Sequence, residues 1–194
     1  MVKMRLFSSI VLFLAFQSTT LRPDNWPAWR GSNNKGAATS GQYPANLSDP
    51  ENLVWKLPLP GKGCSTPIVW ENQIIITGPK EAQDTVSAIT WAGKVAWTES
   101  IGKERAGKHR NGSGSNPSCV TDGELIYAYF KSGNFAALTL KGKVMWKKNL
   151  MSYGKDTLFW DLALRRYSPK NTLSWLSCAK VILGLWRLIN RPAK

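Results

Sequence analysis

"ALTLKGKVMW", residues 137–146, restates "AITWAGKVAW", residues 88–97, at an interval of 49 positions. The pairing is residue by residue: Ala88 with Ala137, Thr90 with Thr139, Gly93, Lys94 and Val95 with Gly142, Lys143 and Val144, and Trp97 with Trp146. A motif repeated at such a period signals a solenoid or a propeller. The repeat also runs upstream, where "STPIVWENQIII" (65–76) lines up with "PSCVTDGELIYA" (117–128). A third tryptophan-bearing run, "LVWKLPL" (53–59), matches the end of each unit, with Trp55 in the part of Trp97 and Trp146. The tryptophans are 42 and 49 residues apart, and the longer interval contains the inserted loop "GKERAGKHRNGSGSN" (102–116).

Within each unit the text is a series of short apolar, β-branched and aromatic runs. They are "LVWKLPL" (53–59), "PIVW" (67–70), "QIIITG" (73–78), "TVSAIT" (85–90), "KVAWTESI" (94–101), "ELIYAYF" (124–130), "NFAALTL" (134–140) and "KVMWKKNL" (143–150). Between them stand "WENQ", "WAGK", "TDGE", "KSGN" and "LKGK", which are hairpin punctuation. Many short strands with frequent turns predict an all-β antiparallel fold. Four strands in roughly 40–50 residues is the size of a propeller blade. The Gly-Lys turn has a physical reason, since a tight hairpin needs positive φ and Gly adopts it without steric cost. Each Trp brings a large area to bury and an N–H able to reach a backbone acceptor between neighbouring sheets.

The pattern A-[IL]-T-x-x-G-K-V-x-W resembles the repeat of PQQ-like β-propellers, a family that includes quinoprotein alcohol dehydrogenases and the BamB-type outer-membrane assembly scaffold. "DNWPAWRGSNNKGA" (24–37) is similar to the N-terminal signature of exported PQQ-binding-like β-propeller repeat proteins, as are "LPGKGCSTPIVW" (59–70) and "PSCVTDGELIYAYF" (117–130). The resemblance covers about residues 24–163. It implies that Gly93-Lys94 and Gly142-Lys143 close blades and that Trp97 and Trp146 dock between adjacent ones. Cys119 stands where the family usually has Pro, a structurally mild departure. A closed propeller needs about four to eight blades. This chain holds about two, with the start of a third at "DTLFWDLA" (156–163). The expected fold is therefore an all-β, partial propeller of about two four-stranded blades.

The expected organisation is a signal peptide over 1–20, a lead-in segment over 21–52, incomplete blades over 53–164 and a basic tail over 165–194. Lys3 and Arg5 precede the apolar run "LFSSIVLFLAF" (6–16), which reads as a secretory signal and is short for a membrane span. The tail has no acid and no Gly-Lys turn. In one reading it is an amphipathic basic helix, with Trp175, Ala179, Ile182, Trp186 and Ile189 on one face, suited to a membrane surface or a core. In the other it is out-of-frame translation. A shifted frame across "LRRYSPKNTL" (164–173) can encode Ser/Thr-Pro-Val-Leu-Thr-Glu-Lys-His-Val, in register with "TPIVWENQI" (66–74).

The 194 residues carry a formal charge of +14. All twelve acids lie between Asp24 and Asp161, while the first twenty residues hold two basic groups and 165–194 hold seven. The middle thus sets seventeen basic against twelve acidic groups, a net of +5, which argues against a nucleic-acid footprint. Cys64, Cys119 and Cys178 show neither a C-x-x-C pair nor metal spacing and read as unpaired structural thiols. The single His, His109, sits in the inserted loop with no acid–nucleophile pattern around it. "GKGCS" (61–65) and "GSGS" (112–115) lack phosphate-loop spacing and read as turns. Lys103, Arg105, Lys108 and Arg110 form a basic cluster, read as a solvated loop with anionic polymer or lipid head groups as the functional alternative. "NLS" (46–48) and "NGS" (111–113) match glycosylation acceptors.

Quinoprotein members of the family use a vicinal disulfide, an acidic catalytic residue and a bound metal. No adjacent Cys pair or recognisable catalytic acid motif stands here, so no catalytic, cofactor or metal residue is assigned. The expectation is an exported, periplasmic or extracellular fragment of a non-catalytic scaffold that binds envelope proteins or polymers. Membrane contact is expected only through 165–194. The alternative is a fragment of a PQQ-dependent quinoprotein oxidoreductase.

Overall fold

Among the described residues, eight strands make up two consecutive antiparallel meanders. The structure is a computed structural model and describes residues 24–153 apart from positions 34, 42, 109 and 111. The expected signal over 1–20, the third-copy start at 156–163, the tail over 165–194, Cys178 and His109 lie outside the described residues.

The first sheet contains β1 (Ile68–Trp70), β2 (Gln73–Lys80), β3 (Gln83–Thr90) and β4 (Val95–Lys103) in sequence order. The second contains β5 (Val120–Thr121), β6 (Leu125–Tyr129), β7 (Asn134–Thr139) and β8 (Val144–Asn149), again in order. These are two blades of a partial propeller. The repeat is visible in a shared irregularity. The ladder slips between Ala88 and Ile89 against β4, and between Ala137 and Leu138 against β8. A bulge at this point bends the outer strand and re-aims its side chains. In both sheets the residue it leaves in register with the Ala is the motif tryptophan, Trp97 or Trp146.

One apolar layer joins the sheets. Ile68, Ile75, Val86, Ala88 and Ile101 from the first meet Ile126, Ala128, Phe130, Ala136 and Leu138 from the second, with Cys119 among them. The alternation of β-strand side chains puts the intervening residues on the other face. On the second sheet these are Val120, Tyr127, Phe135 and Ala137, packed by Ala28, Leu125, Tyr129, Trp146 and Leu150.

One expected strand is absent. Residues 53–59 pair with no other strand among the described residues, and Leu53 and Val54 are 59% and 88% exposed. A strand is made by the partner that accepts its backbone hydrogen bonds, and the β-rich pattern "LVWKLPL" supplies none by itself. The β2–β3 turn is one that the sequence pattern does not mark. Its two central residues, Glu81 and Ala82, have φ of 51° and 59°, a conformation usually left to Asn and Gly.

Candidate functional site

The two ends of the blade pair are built differently. At one end lie the β1–β2, β3–β4, β5–β6 and β7–β8 turns; at the other lie the β2–β3 and β6–β7 turns and the crossover from β4 to β5.

At the first end, Gly93 and Gly142 have φ of 73° and 84°. Their N–H groups donate to the carbonyls of Thr90 and Thr139, and the Thr N–H groups donate to Lys94 and Lys143 O. The threonine hydroxyls accept in turn from the N–H groups of Lys94 and Lys143, at 3.3 and 3.2 Å. Lys94 and Lys143 leave their side chains exposed. The two threonines recur in the motif, so the repeat itself carries the signal for this bond.

A tryptophan from the preceding unit caps each Gly-Lys turn. The Trp55 indole lies against Gly93 and its Nε1 donates to Trp91 O at 2.8 Å. The Trp97 indole lies against Gly142 and its Nε1 donates to Leu140 O at 3.3 Å. In both cases the acceptor is two residues before the glycine. So residues around Trp55, although unpaired as a strand, stand to the first blade as β4 stands to the second. Trp146 makes a different contact, meeting Phe135 of its own sheet edge-on at a centroid distance of 5.0 Å. Trp70 adds another junction contact, its ring against Gly123 in the β5–β6 turn.

The lead-in segment stitches the innermost strands together. Trp26 pairs with Val69 through both backbone bonds, at 2.8 and 2.9 Å. Pro27 O accepts from Thr121 N at 2.9 Å, and Asn25 Oδ1 accepts from Glu71 N at 2.8 Å. The "NWP" portion of the N-terminal signature (25–27) thus touches both blades.

At the second end a polar seam is centred on Asp84, which is fully buried. Its carboxylate accepts from Ser115 Oγ at 2.7 Å, Ser132 Oγ at 2.5 Å and Asn134 Nδ2 at 2.8 Å. Asn134 Nδ2 also donates to Lys103 O. Thr77 Oγ1 lies within hydrogen-bonding distance of Pro117 O, Ser115 O and Ser65 Oγ. Asn116 Oδ1 collects the N–H groups of Ser113 and Cys64, and Ser118 Oγ accepts from Thr66 N. Neutral donors on a buried carboxylate satisfy it without a counter-charge. This arrangement holds two blades together.

The sequence marks "GSGS" and "KSGN" as turns and carries no signal for Asp84. Asp84 does not recur, since the repeat register sets it against Gly133, and its partners are 31 to 50 residues away. Cys64 is exposed and Cys119 buried, with its Sγ 3.9 Å from Ile75 O. Among the described residues no three His, Cys, Asp or Glu side chains gather in a way that could hold a metal ion.

A titratable pair closes the β5–β6 turn. Asp122 Oδ1 accepts from Leu125 N and Glu124 N, and Oδ2 accepts from Tyr127 OH at 2.9 Å. Burial raises the Asp122 pKa, but the Leu125 and Glu124 N–H groups and the Tyr127 hydroxyl outweigh it, so the net shift is downward. Burial, followed by the bond to Asp122, pushes Tyr127 up to about 12.

Compared with known families, residues 37–169 match the family model described as outer membrane protein assembly factor BamB. No curated protein matches the chain.

Proposed function

Because the chain belongs to the BamB-type propeller family, we propose that it comes from a non-catalytic scaffold that binds proteins or polymers in the cell envelope. The observation that carries this reading is the Asp84 seam. The buried carboxylate is saturated by Ser115, Ser132 and Asn134, side chains that join blades. What faces outward is turns and loops, the parts of a propeller that vary most freely for recognition. Fold alone does not give function. The support for a protein-binding role is the family description, which names assembly of outer membrane proteins.

On this reading the protein is exported and works in the periplasm or outside the cell. No helix among the described residues is long and apolar enough to cross a membrane. Gly93, Lys94, Gly142 and Lys143 act as blade closures, and Trp97 and Trp146 as inter-blade docking residues.

Photocrosslinking from the exposed β2–β3 turn of the full chain in intact envelopes tests the reading, in parallel with PQQ titration and dye reduction. Crosslinks to a defined envelope component with no saturable PQQ binding are expected. Saturable PQQ binding with dye reduction would overturn the scaffold in favour of a quinoprotein oxidoreductase.

A further inference from the structure

The seam end of the blade pair is basic, and its charge is held in a fixed frame. Lys62, Lys80, Lys103, Arg105, Lys108 and Arg110 are all exposed. Lys80 is in register with Gln83, and Gln83 with Lys103, so the three stand abreast at one end of the first sheet. Gly61 comes so close to Pro79 that an added methyl would lie 2.5 Å from its carbonyl oxygen, which sets Lys62 beside the same turn.

The loop that carries the arginines is built in rather than solvated along its length. Glu104 N donates to Ala82 O at 2.9 Å, and Glu104 Oε1 accepts from Gly114 N at 3.2 Å. Gly114 has no room for a side chain against the carbonyl of Arg105. Lys131, 1% exposed, reaches Ala106 O at 3.5 Å and donates its own N–H to Gly114 O. Of the acids at this end, Glu104 is engaged by Gly114 and Asp84 by Ser115, Ser132 and Asn134, and Glu81 is exposed on the β2–β3 turn.

Resting on the scaffold reading, we propose that this face docks an acidic segment of a partner protein. Single exposed ion pairs contribute little, so useful affinity requires several to form at once. Cations carried on one fixed backbone frame meet that need for an acidic segment, which brings several carboxylates together, whereas fluid anionic head groups need no such frame. The attraction is steering and salt-sensitive, falling once the screening length shortens below about 10 Å.

The test is anisotropy of a fluorescent polyglutamate peptide titrated with the full chain. Lys103→Glu/Arg105→Glu is expected to weaken binding about tenfold or more, and added salt to do the same. Lys94→Glu/Lys143→Glu makes the same change in net charge at the opposite end and leaves binding intact. Lys62→Glu/Lys80→Glu, outside the loop, repeats the loss if the first variant perturbs the fold. Equal loss from both ends means simple net-charge attraction and overturns the proposal. Binding to phosphatidylglycerol vesicles without binding to the peptide overturns it in favour of a membrane surface. Envelope crosslinks that survive Lys103→Glu/Arg105→Glu sink the face and leave the scaffold. Peptide binding with no envelope crosslinks does the reverse.

Discussion

The indole of Trp97 lies so close to Gly142 that an added methyl would sit 2.6 Å from the ring, and Gly142 has φ of 84°. Two penalties therefore meet at one position: a left-handed backbone and an occupied Cβ site. Gly142→Ala is expected to destabilise the full chain by about 2–4 kcal/mol, measured by urea unfolding. In a Trp97→Ala background the clash disappears and only the backbone cost, about 1–2 kcal/mol, remains. An unchanged cost in that background would refute the contact.

Trp55 and Val54 are neighbours in sequence with opposite surroundings. Trp55 rests on Gly93, while Val54 is 88% exposed. Trp55→Ala should cost about 2–3 kcal/mol, whereas Val54→Lys should fall within about 0.5 kcal/mol of the parent. The same unfolding curves check both.

This pair also marks what the sequence makes legible. The repeat predicts both sheets and every turn between their strands but the β2–β3 one, because each is set by residues close together in the chain. It places a strand at 53–59 wrongly, because strand character depends on a partner that local pattern does not encode. The part of Trp55 is nonetheless readable, since its docking depends on the turn it meets. The Asp84 seam is illegible for another reason. It joins residues from β3, the crossover and the β6–β7 turn, and Asp84 falls outside the repeat.

Asp84→Ala would leave the Ser115, Ser132 and Asn134 donors without their buried acceptor. A loss of about 3 kcal/mol is expected, against about 1 kcal/mol for Ser115→Ala, which removes one donor and leaves the carboxylate two others. Urea midpoints of the two variants decide the order.

The Glu81-Ala82 turn holds two non-glycine residues at positive φ. Glu81→Asn/Ala82→Gly places the preferred pair there and keeps the Ala82 carbonyl that accepts from Glu104 N. A gain of about 1–2 kcal/mol is expected in thermal or urea unfolding.

Asp122 and Tyr127 give stability opposite pH dependences. The folded pKa of Asp122 is below its ordinary 3.8, so its contribution is present above that value and is lost as pH falls through the lowered one. That of Tyr127 rises from 10.0 to about 12, so its contribution is complete below pH 10 and is lost between 10 and 12. Tyr127→Phe should flatten the alkaline loss relative to the parent, followed as unfolding midpoints across that interval.

The tryptophan-on-glycine junction is directional: one unit supplies the ring and the next supplies the seat. Such contacts are head-to-tail, with two unlike halves that cannot be exchanged. A gene built on this junction can lengthen or shorten by whole duplicated units, because every copy arrives with a ring for its successor and a seat for its predecessor. Selection is then free to diversify the opposite end, where Asp84 and the crossover follow no repeat.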